Sequence, residues 1–231
     1  MINVLFSADE RNWLAYEAPL QKAFATHGLE VHLSTEIPPA EVDYIVYAPS
    51  GGLQDFAPFT RCKAVLSLWA GVEKIVGIPS LTQPLCRMVD PGLTKGMVEW
   101  VLGHTLRYHL GIDANLAAQV GVWDPIVPPL ASERTVAVLG LGALGEACAS
   151  TLRNLDFNVV GWSRRPKEID GVTTFHGEDG LKQALSKAEI VVLLLPNTPQ
   201  TENTLNAVTL ATLPIGARIL NPGRGTLIDD D

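Results

Sequence analysis

A glycine-rich loop is the segment of this sequence that most clearly indicates a chemical function. Gly140, Gly142 and Gly145 follow the apolar run Thr135–Leu139 in the spacing GxGxxG, and the helix-compatible residues EACASTLRNL come next. An ordinary glycine-rich turn could share this spacing, but a strand before it and a helix after it favour a dinucleotide site. The glycines would permit a tight turn, approach of a pyrophosphate to the backbone and close helix packing. The predicted cofactor-binding residues of this loop are Gly140, Gly142, Ala143, Leu144 and Gly145.

The end of the next apolar strand predicts which dinucleotide is bound. Sites that select NAD place an acidic residue about 20 positions after the glycine loop, where it hydrogen-bonds the ribose hydroxyls. Here Ser163, Arg164 and Arg165 occupy that place, and Ser163 lies 23 positions after Gly140 (163 − 140). A solvated surface pair of arginines is the alternative interpretation. At this offset a serine and two guanidinium groups would bind a 2′-phosphate through charge-assisted hydrogen bonds, so we predict NADP(H) as the cofactor.

Composition restricts the class of protein. The 231 residues are 47% hydrophobic and 18% charged, with a formal net charge of −8, which indicates a globular chain and argues against a general nucleic-acid binder. The N-terminus lacks a signal-peptide pattern, and the longest strongly apolar run, residues 190–195, is too short to cross a bilayer. The three cysteines form no CxxC pair, so we expect neither a disulfide framework nor a metal site. These features predict a cytoplasmic protein with no membrane association.

The first part of the chain alternates short apolar strands with a helical pattern. Strands are predicted at residues 2–6, 30–33, 44–47 and 64–68, and a helix at residues 12–27, ended by Gly28. Alternating strands and helices predict a parallel sheet that is covered on both faces. We therefore expect a small flavodoxin-like α/β domain at residues 1–95.

A second α/β unit is predicted in the rest of the chain. Residues 94–110 predict a long helix that joins two domains, and the proline-rich residues 121–132 predict a linker. Strands are then predicted at residues 135–139, 158–162, 190–195 and 217–220. Helices are predicted after the glycine loop and around residues 181–185. The predicted fold class is α/β, with two Rossmann-like or flavodoxin-like parallel-sheet domains joined by a long helix, the second at residues 96–231.

Four segments in a fixed order carry a further signal. They are LWAGVEKI at residues 68–75, the glycine loop, LLPNTPQT at residues 194–201 and NPGRG at residues 221–225. Together they resemble the D-isomer-specific 2-hydroxyacid dehydrogenase family, most closely its glyoxylate/hydroxypyruvate reductase A branch, which also has a similar GWSR strand end. The resemblance implies reduction of a small 2-oxo acid to the D-2-hydroxy acid with NADPH. It also implies a homodimer, whose contact region would include residues 100–110 and the loop of Trp123.

The resemblance further implies roles for individual residues. Arg224 matches the family's catalytic arginine, whose planar guanidinium would hold the substrate carboxylate and polarise the carbonyl, although a surface ion pair is the alternative for this motif alone. The segment that resembles the substrate loop consists of Trp69, Ala70, Gly71 and Val72. Its backbone N–H groups would bind the carboxylate, while core packing is an equal alternative for the indole. The segment that resembles the cofactor lining consists of Leu195, Pro196, Asn197 and Thr198.

The sequence departs from the family after the NPGRG segment. The family's acid–base histidine and its glutamate partner follow the arginine, whereas all five histidines here precede Arg224. The expectation is therefore a C-terminally truncated sequence with an incomplete second domain. Two further interpretations stay open, namely a non-catalytic nucleotide-sensing protein on the same fold and an NAD-dependent dehydrogenase of a larger acid. The Ser163-Arg164-Arg165 strand end argues against the second of them.

Overall fold

The computed structural model describes residues 1–121, 123, 125 and 127–230. The chain divides into two compact units, Met1–Val89 and Asp90–Asp231. The boundary expected at residue 95 falls inside a helix that belongs entirely to the second unit. This helix begins earlier than its apolar pattern predicts because the Asp90 carboxylate accepts a hydrogen bond from the Leu93 N–H at 2.8 Å and Pro91 occupies the first turn.

The first unit is built on a five-stranded sheet whose neighbouring strands are all parallel. Its elements are β1 (Ile2–Ser7), α1 (Glu10–Thr26), β2 (Val31–Ser34), β3 (Tyr44–Tyr47), β4 (Ala64–Ser67) and β5 (Leu85–Cys86). The strand order is β2-β1-β3-β4-β5, which is the flavodoxin-like order 2-1-3-4-5. In such sheets ligands bind at the carboxyl edge, beside the point where the strand order reverses, which here lies between β1 and β3.

The second unit contains the glycine loop and a second parallel sheet of five strands. Its elements are α2 (Pro91–His109), α3 (Ile112–Ala117), β6 (Thr135–Leu139), α4 (Ala143–Asn154), β7 (Asn158–Ser163), β8 (Thr173–His176), α5 (Gly177–Leu185), β9 (Ile190–Leu193), α6 (Ala207–Leu210) and β10 (Arg218–Leu220). The strand order is β10-β9-β6-β7-β8. If these strands are numbered 1 to 5 from β6 to β10 and read from the β8 edge, their order is 3-2-1-4-5, as in one half of the Rossmann fold. The strand order reverses between β6 and β9.

The core of the second unit lies on both faces of its sheet. The central strands β6 and β9 consist of β-branched residues, alanine and leucine, and nearly all are fully buried. Such uninterrupted apolar strands are typical of parallel sheets that helices cover on both sides. One apolar cluster joins β6 to α2 and α4 through residues such as Val101 and Leu152. A second cluster on the opposite face includes Leu185, Leu205 and Leu227.

The predicted strands and the two long helices are confirmed in type, while several short elements were not predicted. The missed elements are β5, β8, α3 and α6, which have two to six residues each. β5 and β8 are edge strands with only partly buried side chains, so their sequences lack the apolar run of a central strand.

Val122, Asp124 and Ile126 of the expected linker lie outside the described residues. No described helix combines the length and the apolar character that a membrane span requires.

Candidate functional site

Gly140 brings the end of β6 into direct backbone contact with the end of β9. A Cβ atom on Gly140 would lie 2.6 Å from the Leu194 carbonyl oxygen, and its φ of +102° also favours glycine. On either side, the Gly140 N–H donates to the Trp162 carbonyl at 2.8 Å, and the Leu194 N–H donates to the Leu139 carbonyl at 2.8 Å. The glycine loop therefore begins where three neighbouring strands end.

Gly142 and Gly145 serve the loop in different ways. A Cβ on Gly145 would overlap the Gly140 carbonyl oxygen, so only glycine lets α4 start this close to the loop. Gly142 faces open space at the position where a Cβ would be, and it caps α4 without a side-chain hydrogen bond. The backbone at the start of α4 is thus open at Gly142, and the first N–H groups of a helix have no carbonyl partner within it. This combination fits a pyrophosphate, which needs close backbone approach and N–H donors.

The carboxyl end of β7 carries two exposed arginines next to the glycine loop. The Ser163 hydroxyl donates to the Arg165 carbonyl at 2.7 Å and thereby closes the turn that follows the strand. Within the described residues, neither Arg164 nor Arg165 forms an ion pair with a carboxylate, and both are exposed. Because its only proton is used in the turn, Ser163 shapes the arginine turn in this structure rather than offering a donor to a ligand.

Lys167 is a charged residue of this edge that the motifs did not reveal. Its ammonium group donates to the Leu141 carbonyl at 2.6 Å and pairs with the Glu146 carboxylate at 2.7 Å. It therefore connects the turn after β7 to both the glycine loop and the first turn of α4. No fixed spacing in the sequence signals this contact, since Lys167 is 26 positions from Leu141 and 21 from Glu146.

The loop after β9 contains the residues that resemble a cofactor lining. Leu195 is buried in the core, whereas Pro196 is exposed and Asn197 and Thr198 are half-buried. The Thr201 hydroxyl closes this loop, since it donates to the Pro196 carbonyl at 2.6 Å and accepts from the Thr198 N–H at 2.9 Å. The loop starts at the backbone that contacts Gly140, so its position is tied to the glycine loop.

Arg224 lies on the loop after β10, as its motif predicts. Asn221 shapes this loop, because its side chain donates to the Arg224 carbonyl at 2.9 Å and accepts from the Gly223 N–H at 3.2 Å. A further bond runs from the Thr226 hydroxyl to the Asn197 side chain at 2.9 Å. The guanidinium of Arg224 is exposed and donates to the Gly223 carbonyl at 3.0 Å. The loops after β9 and β10 are thus linked directly.

The segment Trp69–Val72 follows β4 in the first unit, at the carboxyl edge of that sheet. The buried Ser67 hydroxyl donates to the Trp69 carbonyl at 3.0 Å and accepts from the Trp69 N–H at 3.1 Å, which forms a tight turn. The indole of Trp69 is 40% exposed, so it contributes only part of its surface to the interior. Ala70, Gly71 and Val72 are half-buried and belong to no helix or strand.

His109 is a buried histidine at the end of α2, away from the glycine loop. It is buried at the end of α2, with its ring edge-on to Phe157 at 4.9 Å between ring centroids. Burial lowers the pKa of His109, and the nearby charge of Arg134 lowers it further. The buried imidazole of His109 therefore packs against the core at the end of α2.

The structure therefore places the sequence-predicted residues in two separate groups. In the second unit, the four neighbouring strands β7, β6, β9 and β10 present the arginine pair, the glycine loop and the Asn197 and Arg224 loops at one sheet edge. The Trp69–Val72 segment belongs to the first unit. The strand order and the close backbone contacts at the glycines define the second unit as a Rossmann-type dinucleotide-binding unit.

Comparison with known proteins places this unit in a family. The profile described as "D-isomer specific 2-hydroxyacid dehydrogenase, NAD binding domain" matches residues 105–231, which is more than half of the chain. The chain belongs to this family, and both the predicted family and the predicted fold class are confirmed.

One curated relative and two solved structures show how far the similarity extends. Glyoxylate/hydroxypyruvate reductase A of Serratia proteamaculans is 38% identical over 180 residues, which are 74% of this chain and 58% of the relative. The D-isomer specific 2-hydroxyacid dehydrogenase of Xanthobacter autotrophicus Py2, solved with NADPH and MES, has 38% identity and a TM-score of 0.89 over 99% of this chain and 74% of that chain. The NADPH-dependent glyoxylate/hydroxypyruvate reductase of Sinorhizobium meliloti, solved with NADP and sulfate, has 33% identity and a TM-score of 0.81 over the same shares, 99% and 74%.

Alanine substitution separates the two roles of the loop glycines. Gly145→Ala should lower the free energy of unfolding by about 2–4 kcal/mol, because its methyl group would displace the Gly140 carbonyl, whereas glycine-to-alanine changes in helices normally stabilise. Gly142→Ala is the matched control and should lower this free energy by about 1 kcal/mol at most, since its methyl group enters open space and only the preference for glycine at the helix cap is lost. Urea unfolding of the two variants measures the difference. Equal stability of both would show that the Gly145 contact is unimportant.

Proposed function

We propose that the protein is an NADPH-dependent reductase of a small 2-oxo acid, of the glyoxylate or hydroxypyruvate type, that forms the D-2-hydroxy acid. The observation that carries the proposal is the direct linkage of three loops at one sheet edge. The glycine loop touches the Leu194 backbone, and the following Asn197 is bonded to Thr226, beside Arg224. A cofactor on the glycine loop and an oxo acid on Arg224 would therefore be held by connected loops of one compact unit.

The choice of NADP(H) rests on the charge at the end of β7. A 2′-phosphate carries nearly two negative charges, which a carboxylate at this position would repel and two guanidinium groups would attract. Arg164 and Arg165 are exposed and have no carboxylate partner among the described residues, so their charge is available to a ligand. The Xanthobacter and Sinorhizobium relatives were solved with NADPH and NADP, which supports the same choice here. When bound, NADPH would supply the hydride.

Arg224 is the group that we assign to the oxo acid. A guanidinium is cationic and can offer two parallel N–H donors to a carboxylate or carbonyl oxygen. Developing negative charge on a carbonyl oxygen is stabilised best by a donor that is already in place. The bonds that Asn221 makes to the Arg224 carbonyl and the Gly223 N–H hold the backbone of this loop in one conformation. The backbone that carries Arg224 thus needs little reorganisation, while the guanidinium would exchange its bond to the Gly223 carbonyl for one to the substrate.

The proposal uses two further groups that family resemblance implies. The Trp69–Val72 segment would bind the substrate carboxylate through backbone N–H groups, and its turn is fixed by Ser67. The proton would come from the histidine that follows the NxxRG arginine in the family, oriented by a glutamate that raises its pKa. A cytoplasmic location remains part of the proposal.

A homodimer is also part of the proposal. Large apolar side chains are exposed on α2, on α3 and in the segment after them, and they include Trp100, Leu116, Val120, Trp123 and Val127. Exposed apolar side chains in such number are typical of surfaces that a partner covers. Because they lie where the family resemblance places the dimer contact, a second copy of this chain is the proposed partner. Sedimentation equilibrium should give the mass of two chains, and a monomer at all concentrations would contradict the assignment.

Removal of the two arginines tests the cofactor choice. The double variant Arg164→Ala/Arg165→Ala should bind NADPH about 10- to 100-fold more weakly and bind NADH nearly unchanged, because only NADPH carries the 2′-phosphate. The double variant Lys182→Ala/Lys187→Ala is the matched control, since it removes two exposed positive charges from the same unit away from this edge. Dissociation constants from fluorescence titration measure both effects. An unchanged ratio of NADPH to NADH affinity in the arginine variant would refute the assignment.

Substitution of Arg224 tests the substrate assignment. Arg224→Ala should lower kcat/KM for glyoxylate and hydroxypyruvate by roughly 100- to 1,000-fold and leave NADPH affinity unchanged, because the side chain would contact the oxo acid and not the phosphates. Arg218→Ala is the control, since Arg218 is an exposed arginine at the opposite end of β10. Steady-state oxidation of NADPH by the full-length protein provides the measurement. Wild-type turnover by the Arg224→Ala variant would exclude the proposed role.

A further inference from the structure

Lys167 makes two contacts through its ammonium group that connect the glycine loop to the first turn of α4. Its Nζ atom donates to the Leu141 carbonyl at 2.6 Å and to the Glu146 carboxylate at 2.7 Å. The side chain is 33% exposed, so these contacts are partly shielded from water. Its backbone is anchored as well, because the Thr174 hydroxyl of β8 donates to the Lys167 carbonyl at 2.6 Å. Lys167 is therefore held from β8 while it holds the glycine loop.

The contact with the Leu141 carbonyl fixes the orientation of one peptide group. The Leu141 C=O and the Gly142 N–H belong to the same peptide plane, which is trans, so the two groups point in opposite directions. With the carbonyl held by the ammonium group, the Gly142 N–H is directed away from Lys167. Glycine offers little steric resistance to rotation of its neighbouring peptide, so the middle glycine needs such an external restraint.

The contact with Glu146 compensates a charge that would otherwise oppose anion binding. Glu146 lies in the first turn of α4, where a carboxylate stabilises the helix through its dipole. The same carboxylate would repel a pyrophosphate at the start of this helix. The Lys167 ammonium neutralises it at 2.7 Å, so the helix retains its stabilising charge while the net charge near the phosphate position stays favourable.

We propose that Lys167 is a positioning residue of the dinucleotide site, which orients the Gly142 N–H for the cofactor pyrophosphate and neutralises Glu146. The inference rests on the proposed cofactor site and deepens it. It assigns Lys167 to the pyrophosphate, which NADPH and NADH share, whereas Arg164 and Arg165 serve the 2′-phosphate. Loss of Lys167 should therefore weaken the binding of both cofactors, whereas loss of the two arginines should weaken the binding of NADPH alone.

The test compares both cofactors in variants of Lys167. Lys167→Met keeps the length of the side chain and removes its charge, and it should weaken NADPH and NADH binding by the same factor, about tenfold for a partly exposed charged hydrogen bond. Lys167→Arg should restore most of the affinity for both cofactors, because a guanidinium can donate to the same carbonyl and carboxylate. Lys187→Met is the matched control and should bind both cofactors as the unmodified protein does. Calorimetric titration and thermal melting of each variant provide the measurements.

A second substitution distinguishes charge compensation from simple loss of structure. In the Lys167→Met background, Glu146→Gln removes the unpaired carboxylate and should recover about threefold in affinity for both cofactors. A general loosening of the loop would not be repaired by this change. The recovery should be smaller at high salt, since screening reduces the repulsion that Glu146 exerts.

Three outcomes would overturn the inference. Lys167→Met could leave both dissociation constants unchanged, or weaken NADPH alone, which would assign Lys167 to the 2′-phosphate. An equal loss that Glu146→Gln does not relieve and that parallels a lower melting temperature would show a purely structural role. If the unmodified protein binds neither cofactor, the proposed function fails and this inference fails with it, whereas cofactor binding that is insensitive to Lys167 overturns the inference alone.

Discussion

The contact between the Gly140 backbone and the end of β9 is the constraint on which the second unit depends. Because a Cβ on Gly140 would lie 2.6 Å from the Leu194 carbonyl oxygen, the loop after β6 and the loop after β9 can occupy this space only without a side chain. The start of α4 depends on the same loop, since Gly145 rests on the Gly140 carbonyl. A helix start, a glycine loop and the Asn197 loop thereby meet at the point where the strand order reverses, which is where Rossmann-type folds bind ligands.

Local charge at this edge differs in sign from the charge of the whole chain. The protein carries a formal net charge of −8, yet Arg164, Arg165 and Lys167 lie within four positions beside the start of α4. Net charge governs long-range repulsion and solubility, whereas an anion site depends on the donors within a few ångströms of it. An acidic protein can therefore present a basic site for a phosphorylated cofactor. Glu146 is a further example of a local charge effect, since Lys167 pairs with its carboxylate.

The parts of the fold and site that could be predicted from the sequence are those that local pattern determines. The central strands are apolar runs, and the spacing of Gly140, Gly142 and Gly145 carries its own structural reason. Edge strand β8 and the contact of Lys167 with Leu141 could not be predicted, because each depends on which segments tertiary packing brings together. For Ser163, the sequence predicts the position at the end of β7. It does not predict that the hydroxyl donates to the Arg165 carbonyl, because that bond depends on the turn that follows.

A crystal structure of the protein with NADPH tests the central claim most directly, because it shows both ends of the proposed cofactor contact at once. We expect pyrophosphate oxygens within hydrogen-bond distance of the N–H groups of Gly142 and Ala143, and a 2′-phosphate in contact with Arg164 and Arg165. We also expect the bond between Lys167 and the Leu141 carbonyl to be retained. A pyrophosphate away from the glycine loop, or a 2′-phosphate that contacts neither arginine, would contradict the proposed cofactor site.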